Sequence, residues 1–174
     1  MIGLFKERGA AHVCTISPAI PMAQFPMEVA HTDELSKYNS VVVMDGMIDC
    51  AKAALENGIP VGLGTDTACP FVTHYDMWRE LVYFKMYTGV SSAFALHTAT
   101  LVNAGIAGIA DETGSVETGK SADFIITDKD PLKELSALRN PYMVVMRGRI
   151  MKKPRVKKFD YVEKELDKLM YKEY

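Results

Sequence analysis

Apolar positions along the chain change rhythm twice. Ala10 to Ile16 (AAHVCTI) is a short apolar, β-branched run bounded by Gly9 and by Ser17-Pro18, which predicts a strand. Ser17 to His31 carries three prolines, Pro18, Pro21 and Pro26, with little periodicity, and reads as a long loop of the functional kind. A helix is expected next, capped by Asn39 or Ser40 and running to Asn57. Its apolar face would be Val43, Met47, Ala51, Ala54 and Leu55, and Asn57-Gly58 supplies a left-handed stop. Ile59 to Leu63 (IPVGL) is apolar on both faces, as a covered parallel strand would be. Strand, helix, strand in that order predicts a βαβ crossover. Three helical stretches follow: Thr73 to Met86, Val90 to His97 starting at Ser91 or Ser92, and Leu101 to Ile109.

After Asp111 the grammar turns to β. Gly114, Gly119, Ser121 and Asp123 punctuate a turn-rich stretch. Phe124 to Thr127 and Met143 to Met146 then read as strands, and Arg147-Gly148 is a tight turn into Arg149 to Lys152. From Asp160 the pattern is helical again. Asp160 and Glu163 match a capping box, and Val162, Leu166, Leu169, Met170 and Tyr174 lie along one stripe.

Composition narrows the class. The chain has 174 residues, 48% of them hydrophobic, which argues against disorder; its length fits one domain, or one plus a small appendage. Its net charge of -2 offers no field for nucleic acid. No apolar run approaches the ~18 residues that span a bilayer, and no signal-like segment opens the chain. Cys14, Cys50 and Cys69 are odd in number and widely spaced, which fits free thiols and a cytoplasmic setting. The 11 methionines read as packing filler. The basic run Lys152, Lys153, Arg155, Lys157 and Lys158 reads as a solvated linker.

Asp66 is the sharpest chemical feature, because ligands gather at the carboxyl ends of parallel strands. A carboxylate there can ligate a metal or accept a proton from water; its commoner role is to cap the next turn. Gly62 and Gly64 would leave room for backbone or substrate to approach. A nucleotide loop through Gly62 and Gly64 lacks its third glycine, since Thr67 stands there. Of the histidines, His74 suits either a substrate contact or a solvated helix start. His97 suits a hydrogen-bonded core or interface position, while His12 and His31 have no assignable partner. No HxH or HExxH pair exists, so no local zinc site can be written.

Gly62-Leu63-Gly64-Thr65-Asp66, Glu80-Leu81, Ala95-Leu96-His97-Thr98-Ala99-Thr100, the run Gly114 to Ile126 and Asp128-Lys129-Asp130-Pro131-Leu132 occur in a recognisable order. In this the chain resembles the C-terminal part of the metal-dependent amidohydrolase superfamily, in its imidazolonepropionase-like and Xaa-Pro dipeptidase-like branch, up to about Pro154. The resemblance implies an α/β fold made of the last two βα units of a (β/α)8 TIM-type barrel. C-terminal strands of a small β-sandwich and a terminal helix would follow. Residues 1–110 would be the barrel part, with Ala11 to Ile16 as strand seven and Ile59 to Thr65 as strand eight. Residues 111–154 would be the sandwich segment and 155–174 the helical tail.

The implied chemistry is hydrolysis of non-peptide carbon–nitrogen bonds of an amide or cyclic amide, or else of an Xaa-Pro dipeptide. Asp66 would be both metal ligand and general base, and His74 a substrate contact. The implied cofactor is a divalent metal, zinc, in the complete enzyme, with none held by this chain alone. The HxH pair, the strand-four Lys or Glu and the later histidines of such enzymes have no counterpart here, and one carboxylate is too few to hold a catalytic metal. Activity is therefore expected to need a missing N-terminal barrel segment or a second copy of the chain. The alternative is an inactive truncated product acting as an oligomerising scaffold, since two strands leave open edges. The expected partners are a small amide-like substrate and further copies of the chain, not nucleic acid or membrane.

Overall fold

The computed structural model describes residues 1–170. Helix α1 (Ile2–Arg8) leads into strand β1 (His12–Cys14). Helices α2 (Ala19–Gln24), α3 (Met27–Ala30) and α4 (Glu34–Glu56) then return the chain to strand β2 (Val61–Leu63). The two strands pair in parallel, His12 with Val61 and Cys14 with Leu63, so the expected βαβ crossover is present. All three β2 residues are buried, as a strand covered on both faces requires.

Residues 17–31, expected as a loop, hold α2 and α3 instead. Pro21 is the third residue of α2, where a helix N–H has no intrahelical partner, so the missing donor costs nothing there. Helix α4 begins before Asn39. Asp33 is its cap, and the carboxylate accepts the Ser36 N–H at 2.7 Å. Its buried stripe runs through Ile48, Ala51 and Ala54, with Met44 and Leu55 partly buried, while Val41, Val42 and Val43 are exposed. Gly58 has the expected left-handed backbone, with φ +66°.

Helix α5 (Met77–Thr88) starts later than Thr73, because Thr73 and Asp76 close a turn on each other. Helix α6 (Ser92–His97) is capped by Ser91, whose Oγ accepts the Phe94 N–H. It continues through one π-type turn (Thr98–Val102) into α7 (Asn103–Ile106), so two expected helices are one continuous rod. His97 is exposed on that rod, not a core residue.

Strands β3 (Phe124–Ile126), β4 (Met143–Met146) and β5 (Arg149–Lys152) form an antiparallel sheet in that order. Arg147 and Gly148, at φ +48° and +76°, make the two-residue turn with both central residues left-handed that the strand twist favours. Helix α8 (Asp160–Asp167) is capped by the backbone of Phe159 rather than by an Asp160–Glu163 box, because Glu163 is drawn to Arg79 and Arg139. Leu166, Leu169 and Met170 join the core formed by Ile20, Phe84 and Leu63; Tyr174 of the expected stripe lies outside the described residues. Among the described residues no helix is long and apolar enough to cross a membrane.

Candidate functional site

The carboxyl ends of β1 and β2 point the same way because the strands are parallel. The chain leaves β1 through Ile16 and Ser17, and leaves β2 through Gly64 to Asp76, so two loops meet at one end of the sheet. Asp66 is exposed and has a left-handed backbone, φ +52°. Its Oδ2 accepts the Cys69 thiol at 3.2 Å, and its carbonyl accepts the Cys69 N–H at 3.2 Å. The hydrogen bond to Asp66 pushes the Cys69 thiol upward. Thr65 and Thr67 hydroxyls pair at 2.8 Å beside it. Thus Asp66 does close the next turn, while its carboxylate stays open to solvent.

His74 lies on the same loop, exposed, with its ring edge-on to Tyr75 at 5.1 Å. The polar contacts of Asp66 and the ring contact of His74 go to different neighbours. His12 is half-buried on β1 with Nδ1 3.9 Å from Cys50 Sγ, and burial lowers its pKa. His31 ends α3 in a left-handed conformation.

The space beside Gly62 in β2, and beside Gly64 just after it, is occupied by the protein itself. A Cβ on Gly62 would meet Asn103 Oδ1 at 2.5 Å. That amide clasps the strand: Oδ1 accepts the Leu63 N–H at 2.9 Å and Nδ2 donates to the Leu63 carbonyl at 2.8 Å. A Cβ on Gly64 would press on Thr15 and Val13. Gly62 therefore makes room for Asn103, not for a nucleotide, and the phosphate-loop alternative falls.

Glu80 is a feature that helical periodicity does not single out. It is fully buried and accepts three hydrogen bonds where the chain leaves β1: the Ile16 N–H at 2.8 Å, the Ser17 N–H at 2.7 Å and the Ser17 hydroxyl at 2.5 Å. Burial pushes its carboxyl up to about 7, against the pull of those donors. Burial, helped by Glu80 and Cys50, likewise raises the Cys14 thiol to about 12. The preceding residue, Arg79, is also buried. It donates to Glu163 at 3.2 Å and Asp167 at 3.0 Å on α8, and stacks 4.5 Å from the Trp78 ring centre. The available signal was that Trp78, Leu81, Tyr83 and Phe84 make α5 apolar on most sides, which encloses Arg79 and Glu80 between them while Lys85 stays exposed.

Metal binding needs three or four ligands in one place. Among the described residues no group of three or more His, Cys, Asp and Glu could hold an ion. Asp66 is one carboxylate, fewer than the ligands such a centre needs.

The sequence profile of the amidohydrolase family matches residues 5–151. A 5-methylthioadenosine/S-adenosylhomocysteine deaminase of Bacillus cereus is 35% identical over 136 residues, covering 72% of this chain and 30% of that protein. The crystal structure of a prolidase-like protein from Bifidobacterium longum superposes with a TM-score of 0.91 at 39% identity, over 96% of this chain and 42% of that one. An Xaa-Pro dipeptidase with methionine bound in its active site superposes with a TM-score of 0.74 at 28% identity, over 87% and 36%. The chain thus spans under half the length of each of these relatives.

Proposed function

Because this chain belongs to the amidohydrolase family, we propose that it is the C-terminal part of a metal-dependent hydrolase of carbon–nitrogen bonds. In this reading β1 and β2 are strands seven and eight of a (β/α)8 barrel within residues 1–110. Residues 111–154 supply strands to a β-sandwich, and 155–174 form the tail. Val13, 50% exposed on β1, supports further structure covering that face of the sheet from outside this chain. The other metal ligands would come from that same source, either an N-terminal barrel segment or a second copy. Such enzymes use a divalent metal, commonly zinc, and Asp66 would be the carboxylate this chain adds to it.

The observation that carries the reading is Asp66 itself: an exposed carboxylate placed immediately beyond the carboxyl end of a buried parallel strand. His74, exposed on the same loop, is the proposed substrate contact. In the complete enzyme Asp66→Ala should abolish turnover with folding intact; retained turnover removes Asp66 from the chemistry.

The B. longum likeness favours a second reading, in which the bond is that of an Xaa-Pro dipeptide. Release of free proline from Xaa-Pro dipeptides supports it. Release of ammonia from a purine nucleoside, with dipeptides inert, supports deamination of the kind named for the B. cereus relative instead.

A further inference from the structure

We infer that the C-terminal helix α8 is a positioning element for the loop that carries Asp66, acting through the buried Arg79 network; the inference deepens, and rests on, the reading of Asp66 above. The loop from Thr65 to Asp76 is costly to hold. Asp66, Ala68 and Phe71 all have left-handed backbones, at φ +52°, +89° and +64°. For residues with a Cβ that conformation is disfavoured, because the side chain crowds the following carbonyl. It persists where the surroundings over-determine it.

Near β2 the determinants are the loop's own turns, Cys69 N–H to the Asp66 carbonyl at 3.2 Å and Val72 N–H to the Cys69 carbonyl at 3.0 Å, and Phe71 packed edge-on against Phe25 at the end of α2 at 5.0 Å. At the far end they come from α8. Asp76 is buried and does three things at once. It accepts the Thr73 hydroxyl at 2.7 Å and the Trp78 indole N–H at 3.1 Å, and it lies 3.4 Å from Arg79 Nε. Arg79 is the charge it shares with α8. The same guanidinium reaches Glu163 and Asp167, and Arg139 binds both of those carboxylates at 2.7 and 3.0 Å. A second tie runs beside it, since the Tyr75 hydroxyl accepts the Phe159 N–H at 2.9 Å where α8 begins. Tyr75 and Asp76, the last two residues of the loop, are therefore both fastened to the C-terminal helix.

The coupling has a definite direction. With its α8 carboxylates neutralised, Arg79 keeps only Asp76 as an anionic partner while 1% exposed. A buried guanidinium cannot be left half-paired without cost, so Asp76 turns toward it and releases Thr73 and Trp78. The loop then loses its far anchor while β1 and β2 keep theirs.

The test is amide hydrogen exchange on the complete enzyme carrying Glu163→Gln and Asp167→Asn. Exchange at Cys69, Val72 and Asp76 should accelerate about tenfold or more, as a local opening would give. The Gly64 amide, bonded to the Cys14 carbonyl at 2.9 Å, should not change. Turnover should fall about tenfold through kcat, with KM moving far less, as expected of a misplaced group. Asp167→Glu, which keeps the charge, should restore both. Faster exchange confined to residues 159–167 overturns the inference. If the double variant does not fold, the single variant Asp167→Asn decides. It removes one α8 carboxylate from Arg79 while Glu163 stays, and an unchanged Asp76 amide overturns the inference equally. A wild-type enzyme without hydrolase turnover would remove the reading of Asp66 and leave the exchange result standing.

Discussion

Arg79 and Glu80 are consecutive, oppositely charged and both buried, yet they serve opposite neighbours. Glu80 ties α5 to the Ile16–Ser17 backbone beyond β1, and Arg79 ties it to α8. Successive helical positions point about 100° apart, so one helix holds both loops at the proposed catalytic end. Each charge is matched by donors or acceptors of its own rather than by its neighbour.

Glu80 makes stability fall as pH rises through neutrality. Its folded carboxyl, about 7, lies above its ordinary 4.5, so the folded state binds the proton more tightly. The stabilising contribution is whole below pH 4.5, declines as pH rises, and is lost above about 7; the difference is on the order of 3 kcal/mol. Asp167 runs the other way. Burial opposes its charge, but the Arg139 and Arg79 bonds prevail and hold its carboxyl below the usual range, so its contribution disappears as pH falls into the acid region. Urea midpoints measured against pH should show both slopes, and Glu80→Gln should remove the one near neutrality.

Arg79→Ala should destabilise the protein by about 3–5 kcal/mol, the cost of orphaning buried carboxylates. It also strips the guanidinium from the face of Trp78. Arg139 is more exposed and shares the same two carboxylates, so Arg139→Ala should cost less. The two effects should be non-additive in a double-mutant cycle followed by chemical denaturation.

Gly62→Ala should cost about 1–3 kcal/mol, because the new methyl meets the Asn103 amide. Asn103→Ala should cost about 1–3 kcal/mol for a different reason, since it strands the Leu63 N–H and carbonyl. Combined, they should cost less than their sum, as the second removes the nearer clash of the first and leaves only Ile106 Cδ1 at 2.8 Å; thermal melts of the three variants check this.

Cysteine reactivity should divide by position. Cys50 is exposed and should react with a thiol reagent in the native state. Cys14 is buried, with its thiol near 12, and should react only on unfolding. Counting reactive thiols before and after denaturant reads this directly.

Much of the architecture was legible in local patterns. The apolar Ile59 to Leu63 run marked a covered strand, Asn57-Gly58 a left-handed stop, and Arg147-Gly148 a hairpin turn; each signal lies within a few residues of the element it sets. The helices hidden in residues 17–31 were not legible, because Pro18, Pro21 and Pro26 suppress helix as an average while first-turn prolines do not. The start of α4 was missed in the same local way: Asp33 caps it rather than Asn39 or Ser40, and of the expected apolar face Ala51 and Ala54 are buried while Val43 is exposed and Met44 and Ile48 pack inward.

For the site, the sequence by itself determined that a carboxylate, Asp66, follows a buried strand, and that the run around it resembles one hydrolase superfamily. Tertiary structure decided what the neighbouring groups do. Gly62 proved to be space for Asn103, which lies 40 positions beyond the Leu63 it clasps, and Glu80 proved to be a buried anchor for residues 16 and 17. Arg79 proved to join α5 to the C-terminal helix. The physical reason is the range of the interactions. Turns, caps and strand alternation are set by neighbours along the chain. A buried charge or a close backbone approach is set by residues that folding brings from dozens of positions away, which leave no periodic trace in the sequence.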